Sequence, residues 1–350
     1  MALYDLVRDL PLEIDDLDFE LTEIVISPQF TRRTTTVKLR SGIGVRGADF
    51  VGLGEDVTYD GSLHEPHQLP WLDLAGSWTL GSLSARLEEV ELFPGGTPTQ
   101  AAYLDYRRWA FESAALDLAL LQHGRSLADV VGREPQPLTF VSSTRAASLE
   151  GWLAFYPDLR FKLDPTPEWT SATVTALASG GNVDVADLKG AYHGTSVDNP
   201  PNPELYRLVA EGLPDAWIED PALTPETDAV LAPHRDRITW DAPIHSWADV
   251  EALRFAPRCL NCKPSRFGSV ERLFEFYDRC TESGIRLYGG GQFELGVGRG
   301  QIQLLASLFH PDSPNDVAPG GYNSAEPIGG LPVSPLDPDP APTGFRRAVW

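Results

Sequence analysis

Three short apolar runs in the second half of this chain each end on a charged residue, and they recur at a constant interval. The charged residues are Glu219, Asp241 and Lys263, and each lies 22 positions after the previous one. A buried strand, a loop, a helix and the next strand occupy about this length in a parallel α/β array. In an α/β barrel, charged residues at the carboxyl ends of successive strands face one mouth. The interval therefore predicts a barrel whose mouth carries two carboxylates and an ammonium group.

Short apolar runs alternate with helical segments from about residue 137 onward, which is typical of parallel βαβ units. Their number fits an eight-stranded barrel. The predicted strands are residues 138–142, 159–163, 182–188, 216–218, 237–240, 258–262, 285–289 and 315–318.

The first part of the chain has a different pattern, with strands before helices. Residues 19–26, 34–39 and 50–55 alternate as strands and are separated by turn residues, whereas 83–92 and 101–124 have helical spacing. Strands followed by helices indicate an α+β domain. We therefore predict an α+β domain over residues 1–130, a barrel over 131–325, and an extended proline-rich segment over 326–350 that packs back on the body.

The composition narrows the classes of partner. The formal net charge of −22 argues against nucleic acid and anionic membranes, because both require a basic surface. No run of about 18 apolar residues is present, and the first residues do not have the pattern of a signal peptide, so we expect a cytoplasmic protein. The pair Cys259 and Cys262 lies within a predicted strand without a second pair, which favours buried thiols over a metal site.

Asp187, Glu219 and Asp241 close three consecutive predicted strands. Each acid alone could be a helix N-cap or a solvated loop residue. Their equivalent placement favours a metal site, and oxygen ligands without paired His or Cys favour Mg²⁺ over zinc. Asp184 is an alternative to Asp187, because the strand register is uncertain near a strand end.

Lys162 and Lys263 belong to the second and sixth predicted strands, so they would approach a bound substrate from opposite sides of the mouth. Arg160 shares a strand face with Lys162 by the period of two. A lysine beside other cations or a metal has a lowered pKa and can act as a base near neutral pH. The alternative for Lys162 is an ordinary ion pair inside the barrel.

Several segments together resemble the enolase superfamily, and within it the muconate-lactonizing subgroup of o-succinylbenzoate synthases, N-succinylamino acid racemases and dipeptide epimerases. The resemblance spans nearly the whole chain. The segments that carry it are Gly52–Glu55, Phe111–Gly132, Arg160–Glu168, Asp187–Tyr192, Trp217–Pro221, Trp240–Ala242, Lys263–Gly268 and Gly290–Arg299.

This resemblance implies a modified TIM barrel of the (β/α)7β type with an N-terminal α+β capping domain. It implies catalytic lysines at Lys162 and Lys263, and Mg²⁺, with Mn²⁺ as a substitute, on Asp187, Glu219 and Asp241; Asp187 is thereby favoured over Asp184. We expect substrate contacts from a further set of residues, one of which lies in a loop predicted over residues 27–34. These residues are Arg160, Asn261, Gly290, Glu294 and Arg32.

The resemblance also implies a reaction, in which one lysine removes the proton α to a metal-bound carboxylate to give a metal-stabilised enediolate. We favour dehydration of the o-succinylbenzoate synthase type. The alternatives are N-succinylamino acid racemisation, muconate-type cycloisomerisation, dipeptide epimerisation, and a barrel that binds a small carboxylate without turning it over. Dipeptide epimerases carry an eighth-strand DxD motif that 316–318 lacks. Association into a homo-oligomer is left open.

Three positions depart from the subgroup pattern. Arg160 replaces a lysine, Lys189 stands where Asn is usual, and Ala242 stands where an acid is usual. These departures leave room for a carboxylate substrate outside the known set.

Overall fold

The N-terminal part of the protein consists of two antiparallel sheets packed on helices. The structure is a computed structural model that describes residues 1–28, 30–42, 49–145, 148–192, 197–324 and 326–348. Strand β1 pairs with β5, and β2, β3 and β4 form a three-stranded meander. The predicted antiparallel meander is thus confirmed. The strands are β1 (Pro11–Ile14), β2 (Asp16–Ser27), β3 (Phe30–Ser41), β4 (Phe50–Asp56) and β5 (Gly76–Thr79).

The loop predicted over residues 27–34 is wrong in the part that the structure describes. Ser27 pairs directly with Phe30, so β2 and β3 continue into a tight hairpin. The β-branched residues Thr31 and Thr34 favour extended backbone, and this propensity extends β3 beyond the predicted strand.

Three helices follow these strands: α1 (Leu80–Glu89), α2 (Ala102–Gln122) and α3 (Leu127–Val131). Helix α2 lies against β4, and two glycines of β4 make this contact possible. A Cβ atom on Gly54 would lie 2.0 Å from the carbonyl oxygen of Ala110, and one on Gly52 would lie 2.2 Å from that of Ala114. Any side chain at these two positions would force the sheet away from the helix.

The described residues after α3 include seven strand–helix units. The strands are β6 (Val141–Thr144), β7 (Arg160–Leu163), β8 (Val183–Asp187), β9 (Trp217–Glu219), β10 (Ile238–Thr239), β11 (Cys259–Cys262) and β12 (Arg286–Gly289). The helices are α4 (Glu150–Phe155), α5 (Ser171–Gly180), α6 (Pro203–Gly212), α7 (Pro225–Leu231), α8 (Trp247–Glu251), α9 (Val270–Ser283) and α10 (Val297–Phe309).

The strands close into a barrel. Strands β6 to β10 form one parallel sheet in sequence order, and β11 and β12 form a parallel pair. The backbone N–H of Asn261 donates to the carbonyl of Trp240 at 3.0 Å and so joins β10 to β11. Asn315 and Asp316 form the eighth segment by bridging β6 and β12. The (β/α)7β architecture expected from the sequence is confirmed.

A buried histidine supports this eighth segment. Nδ1 of His310 lies 2.7 Å from Oδ1 of Asn315, whose amide in turn donates to the carbonyl of Thr139 at 2.9 Å. Burial lowers the pKa of His310 to about 4 from its ordinary value of 6.5. The folded protein therefore holds this imidazole in its neutral form.

We expect the protein to lose stability as the pH falls from 6.5 towards 4. In this window the unfolded chain protonates His310 and the folded chain does not. Between pH 7 and pH 5 this difference amounts to about 2 kcal/mol of unfolding free energy. Urea unfolding at the two pH values would measure it. The variant His310→Gln should show a smaller pH dependence, and exposed His67→Gln should show that of the parent. The same pH dependence in His310→Gln would contradict the prediction.

The segment after the barrel packs on both parts of the protein. The backbone N–H of Leu336 donates to the carbonyl of Leu138 at 2.7 Å. Phe345 is fully buried with its ring 6.3 Å from that of Trp109, and its N–H donates to Asp117 Oδ1 at 2.7 Å. Residues 336–348 thereby connect α2 to the start of the barrel.

The three cysteines are free and buried, as expected. Burial raises the pKa of Cys259 and of Cys262 to about 12, so both remain thiols at neutral pH. In the part of the chain that the structure describes, no helix has both the length and the apolar character needed to span a membrane.

Candidate active site

Three carboxylates converge at the carboxyl ends of neighbouring barrel strands. Asp187 ends β8, Glu219 ends β9, and Asp241 lies two residues after β10. All three are fully buried, and one oxygen from each lies within 4.8 Å of the others. A set of buried carboxylates that offers only oxygen atoms fits a divalent metal ion.

The alternative ligand Asp184 lies away from this cluster. It accepts hydrogen bonds from Arg160, whose Nε lies 3.1 Å from both Asp184 oxygens. Arg160 also donates to the carbonyl of Gly181. Both residues lie towards the amino ends of their strands, so Arg160 does not reach the carboxyl-end mouth where a substrate contact was expected.

Two lysines flank the carboxylates. Lys162 lies on β7 and Lys263 directly follows β11, which are the second and sixth strands and hence face each other across the barrel. Nζ of Lys162 lies 3.1 Å from Asp187 Oδ2 and also contacts Glu219 Oε1. Nζ of Lys263 lies 2.9 Å from Asp241 Oδ2.

Neighbouring carboxylates determine the direction in which the pKa of Lys162 is shifted in the structure. Burial alone would lower the pKa of Lys162, but Glu219 and Asp187 outweigh burial and raise this pKa well above its usual value. The expectation considered neighbouring cations and a metal, whereas the nearest charges are carboxylates. Another cation bound to these carboxylates would offset their negative charge and so remove the cause of the raised pKa of Lys162.

Asp220 is a site residue that sequence reasoning missed. It is fully buried, with φ of +47°, and its carboxylate accepts the backbone N–H groups of Asp241 at 2.8 Å and Ala242 at 2.9 Å. Burial, together with Asp241 and Asp187, raises the pKa of Asp220 to about 7. Asp220 thus fixes the backbone that carries Asp241. Its position next to Glu219 was the available signal.

Other missed residues hold the candidate ligands in place. Arg266 donates from Nη1 to Asp241 Oδ1 at 2.7 Å, and the hydroxyl of Tyr192 donates to Asp241 Oδ2 at 3.1 Å. The hydroxyl of Tyr288 donates to Glu219 Oε2. These hydrogen bonds fix the orientation of the Asp241 and Glu219 carboxylates.

A cavity of about 580 Å³ opens above this cluster. Both lysines line it, as do Asp164, Lys189 and Asp316. Its upper walls include aromatic side chains from the N-terminal part of the chain. These are Phe30, Tyr59, Tyr103 and Tyr106. The cavity thus has charged side chains on the barrel side and aromatic side chains on the opposite side. Its volume is typical of small-molecule sites.

Three further residues predicted to contact substrate lie behind the cavity wall. Asn261 donates to Glu219 Oε2 at 3.3 Å, and Glu294 accepts the backbone N–H of Gln292 at 2.8 Å. A Cβ atom on Gly290 would lie 2.8 Å from Cε of Lys263, so the glycine leaves room for that lysine. Their observed contacts are with the protein.

Arg32 is also not at the cavity surface. It is fully buried on β3 and donates to the carbonyl oxygens of Val57, Thr58, Gln292 and Phe293. Its guanidinium thus joins the N-terminal part to the loop after β12. This placement does not support the predicted contact with a substrate carboxylate.

Glu55 holds the same loop from the other side, and sequence reasoning did not identify this role. Its buried carboxylate accepts the backbone N–H groups of Leu295 at 2.6 Å, Gly296 at 3.0 Å and Gly298 at 2.8 Å. Hydrogen bonds from Glu55 therefore hold the loop after β12 against the N-terminal sheet.

Two family models match the chain. The description "Domain of unknown function (DUF8230) C-terminal domain" matches residues 134–324, and the corresponding N-terminal domain matches residues 5–130. The first of these covers more than half of the chain.

Two curated proteins are similar over part of their length. An N-succinylamino acid racemase from an Amycolatopsis species is 30% identical over 250 residues, which cover 66% of this chain and 64% of the racemase. An o-succinylbenzoate synthase from Bacillus subtilis is 34% identical over 61 residues, or 17% of this chain and 16% of the synthase. The similarity thus spans less than two thirds of either relative.

Solved structures share the fold over most of the chain. A member of the enolase superfamily from Listeria innocua has a TM-score of 0.62 at 19% identity, covering 91% of this chain and 88% of that one. A dipeptide epimerase from Methylococcus capsulatus, complexed with a Mg ion, has the same TM-score at 20% identity, covering 91% and 93%. These likenesses confirm the expected resemblance in fold. The chain belongs to the family described as the domain of unknown function DUF8230, and its fold is that of the enolase superfamily.

Proposed function

We propose that this protein is a Mg²⁺-dependent enzyme that removes the proton α to a substrate carboxylate. The observation that carries the proposal is the placement of Lys162 and Lys263 on opposing strands, with the three buried carboxylates on the strands between them. Two amines that face one cavity from opposite sides can reach both faces of a single carbon atom. A protein that only binds a carboxylate has no need of this arrangement.

Asp187, Glu219 and Asp241 would hold the Mg²⁺, with Mn²⁺ as a substitute. A divalent ion there would compensate the buried carboxylates and the negative charge that develops on the substrate carboxylate. The fit is supported by the oxygen-only donor set and by the absence of His or Cys from the cluster among the described residues.

Lys162 is the proposed base. In its neutral form the amine takes the α proton, the C–H bond breaks, and its electron pair moves towards the carboxylate. Lys263 meets the substrate from the opposite side as a cation. When the substrate carries a β-hydroxyl group, the electron pair forms a C=C bond as the C–O bond breaks, and the departing hydroxide takes the proton held by Lys162 and leaves as water. This sequence is a dehydration of the o-succinylbenzoate synthase type, which we take as the first candidate.

Racemisation of an N-succinylamino acid is the second candidate. Here Lys263 would return a proton to the face opposite Lys162, so that configuration inverts without loss of water. The opposed positions of the lysines favour this reaction, as does the 30% identical racemase. Dipeptide epimerisation shares the first step, and muconate-type cycloisomerisation also transfers a proton at the carbon α to a carboxylate. Among the described residues, no contact in the cavity favours either of them over the two candidates.

A panel of substrates would test the proposal. We expect Mg²⁺-dependent exchange of the α proton with solvent deuterium for the o-succinylbenzoate precursor, an N-succinylamino acid, or both. Nuclear magnetic resonance would follow exchange, and product formation would separate dehydration from racemisation. Chelation of the metal should stop both signals. Absence of exchange with every member of the panel, in protein shown to bind Mg²⁺, would refute the proposed reaction for these substrates.

Three expectations from the sequence remain proposals. They are the division of the chain near residue 130, a cytoplasmic location, and association into a homo-oligomer.

A further inference from the structure

Lysine is scarce in this protein, and its distribution is selective. The sequence contains 28 lysine and arginine residues, of which four are lysines: Lys38, Lys162, Lys189 and Lys263. Three of these four line the cavity. An ammonium group is a compact charge on a flexible stem, whereas guanidinium is planar and fixed in its donor geometry. Two of the cavity lysines have roles in the proposed reaction, and Lys189 has none.

Lys189 holds both oxygens of Asp187. Its backbone N–H donates to Asp187 Oδ1 at 3.1 Å, and its ammonium donates to Asp187 Oδ2. The residue has φ of +55°, which is uncommon for a side chain other than glycine. This backbone turn directs the side chain back onto the carboxylate two positions earlier.

A second carboxylate lies within reach of the same ammonium. Asp164 Oδ1 is buried, accepts no hydrogen bond from the residues that the structure describes, and lies 3.5 Å from Nζ of Lys189. The other oxygen of Asp164 pairs with Arg145 at 3.2 Å. The ring of Tyr192, 5.1 Å from Nζ, provides a further favourable surface for the cation. The ammonium can therefore leave Asp187 and remain paired.

We propose that Lys189 is a displaceable counter-ion of the metal site, whose ammonium moves from Asp187 to Asp164 when Mg²⁺ binds. The inference rests on the proposed function, because it requires Asp187 to be a metal ligand. An oxygen that is paired with an ammonium must exchange that partner for the metal. Mg²⁺ should therefore bind more weakly with Lys189 present than with a neutral residue at this position. Asp164 reduces this loss of affinity by accepting the displaced ammonium group.

Calorimetric titration of Mg²⁺ into the full-length protein would test this inference. Lys189→Asn should bind Mg²⁺ more tightly, on the order of tenfold, since one neighbouring positive charge is removed. Asp164→Asn should bind it more weakly, because the displaced ammonium loses its second partner. When Lys189→Asn is already present, Asp164→Asn should weaken Mg²⁺ binding less than it does in the parent, because the two residues are coupled. Lys38→Asn is the matched control: Lys38 pairs with Glu20 on the N-terminal sheet, and its loss should leave the isotherm unchanged.

The outcomes separate this inference from the proposed function. Equal or weaker Mg²⁺ binding by folded Lys189→Asn would overturn the inference alone, and Lys189→Gln provides a second variant should the first fail to fold. The same loss of affinity on Asp164→Asn in both backgrounds would overturn the role of Asp164. Absence of Mg²⁺ binding by the parent and every variant would overturn the proposed metal site, and this inference with it.

Discussion

Replacement of Lys162 by methionine is expected to lower kcat/KM by about 10²- to 10⁴-fold, the range expected for loss of a general base. In the proposed reaction Lys263 would not compensate, because it follows the opposing strand β11 and would meet the other face of the substrate. Mg²⁺ binding should persist or tighten, since the substitution removes an ammonium from Asp187 and Glu219. Kinetics with a substrate found in the panel proposed above, and a Mg²⁺ titration of the same preparation, would give both values.

Lys162→Arg separates the charge of this residue from its ability to lose a proton. Arginine retains the positive charge but cannot deprotonate in proteins, so this variant should be as inactive as the methionine variant. Lys38→Met, on the N-terminal sheet, should retain parental activity. Turnover by Lys162→Met within tenfold of the parent would remove Lys162 from the reaction.

Glu219→Gln is expected to weaken Mg²⁺ binding by at least about 10²-fold. Loss of a residue that merely supports a ligand costs about 10- to 100-fold in metal affinity, and loss of a charged ligand should cost more. Glu219 belongs to the fourth strand, between the strands that carry Asp187 and Asp241, so the remaining pair would no longer enclose the ion. Calorimetry would measure the change.

The glutamine side chain keeps the volume of Glu219 and can still accept from Tyr288, so the fold should be retained. Thermal unfolding would check this point. Glu20→Gln, which removes an exposed partner of Lys38, is the control and should bind Mg²⁺ like the parent. An undiminished isotherm for Glu219→Gln would exclude Glu219 as a ligand.

The sequence could predict that the charged residues of the site lie close together, because strand ends are a local property. Glu219, Asp241 and Lys263 end strands at a fixed interval, and parallel strands necessarily end at one rim. The choice of Asp187 over Asp184 was harder. Pattern alone could not resolve it, whereas the structure pairs Asp184 with Arg160 near the opposite rim.

The predicted substrate contact of Arg32 is not supported because contacts with residues distant in the sequence bury its side chain. Its local pattern, two arginines in an apparent loop, is typical of an exposed site. The structure buries it because the carbonyl oxygens of Gln292 and Phe293, some 260 positions away, accept its hydrogen bonds. No local pattern encodes such a partner. The role of Glu55 was not predicted for the same reason, because its partners are backbone groups more than 200 positions later.

The pKa of Lys162 could not be predicted from the sequence for a different reason. The expectation of a lowered pKa concerns a lysine beside other cations or a metal, and it includes no distances to the neighbouring acids. Coulomb energy falls with distance, so a carboxylate in contact with Nζ outweighs a cation on the far side of the mouth. Such a balance can be evaluated only with coordinates.

The contact between Phe345 and Asp117 has a consequence for how this protein is made. A ribosome must add 228 residues after Asp117 before Phe345 can donate to it. Until then α2 lacks the ring that packs against Trp109, and Leu138 lacks its partner Leu336. The part of the protein that is synthesised first therefore emerges with the apolar surface around Trp109 and Leu138 uncovered. This surface is fully buried only after translation has passed residue 345, and until then it is exposed to aggregation.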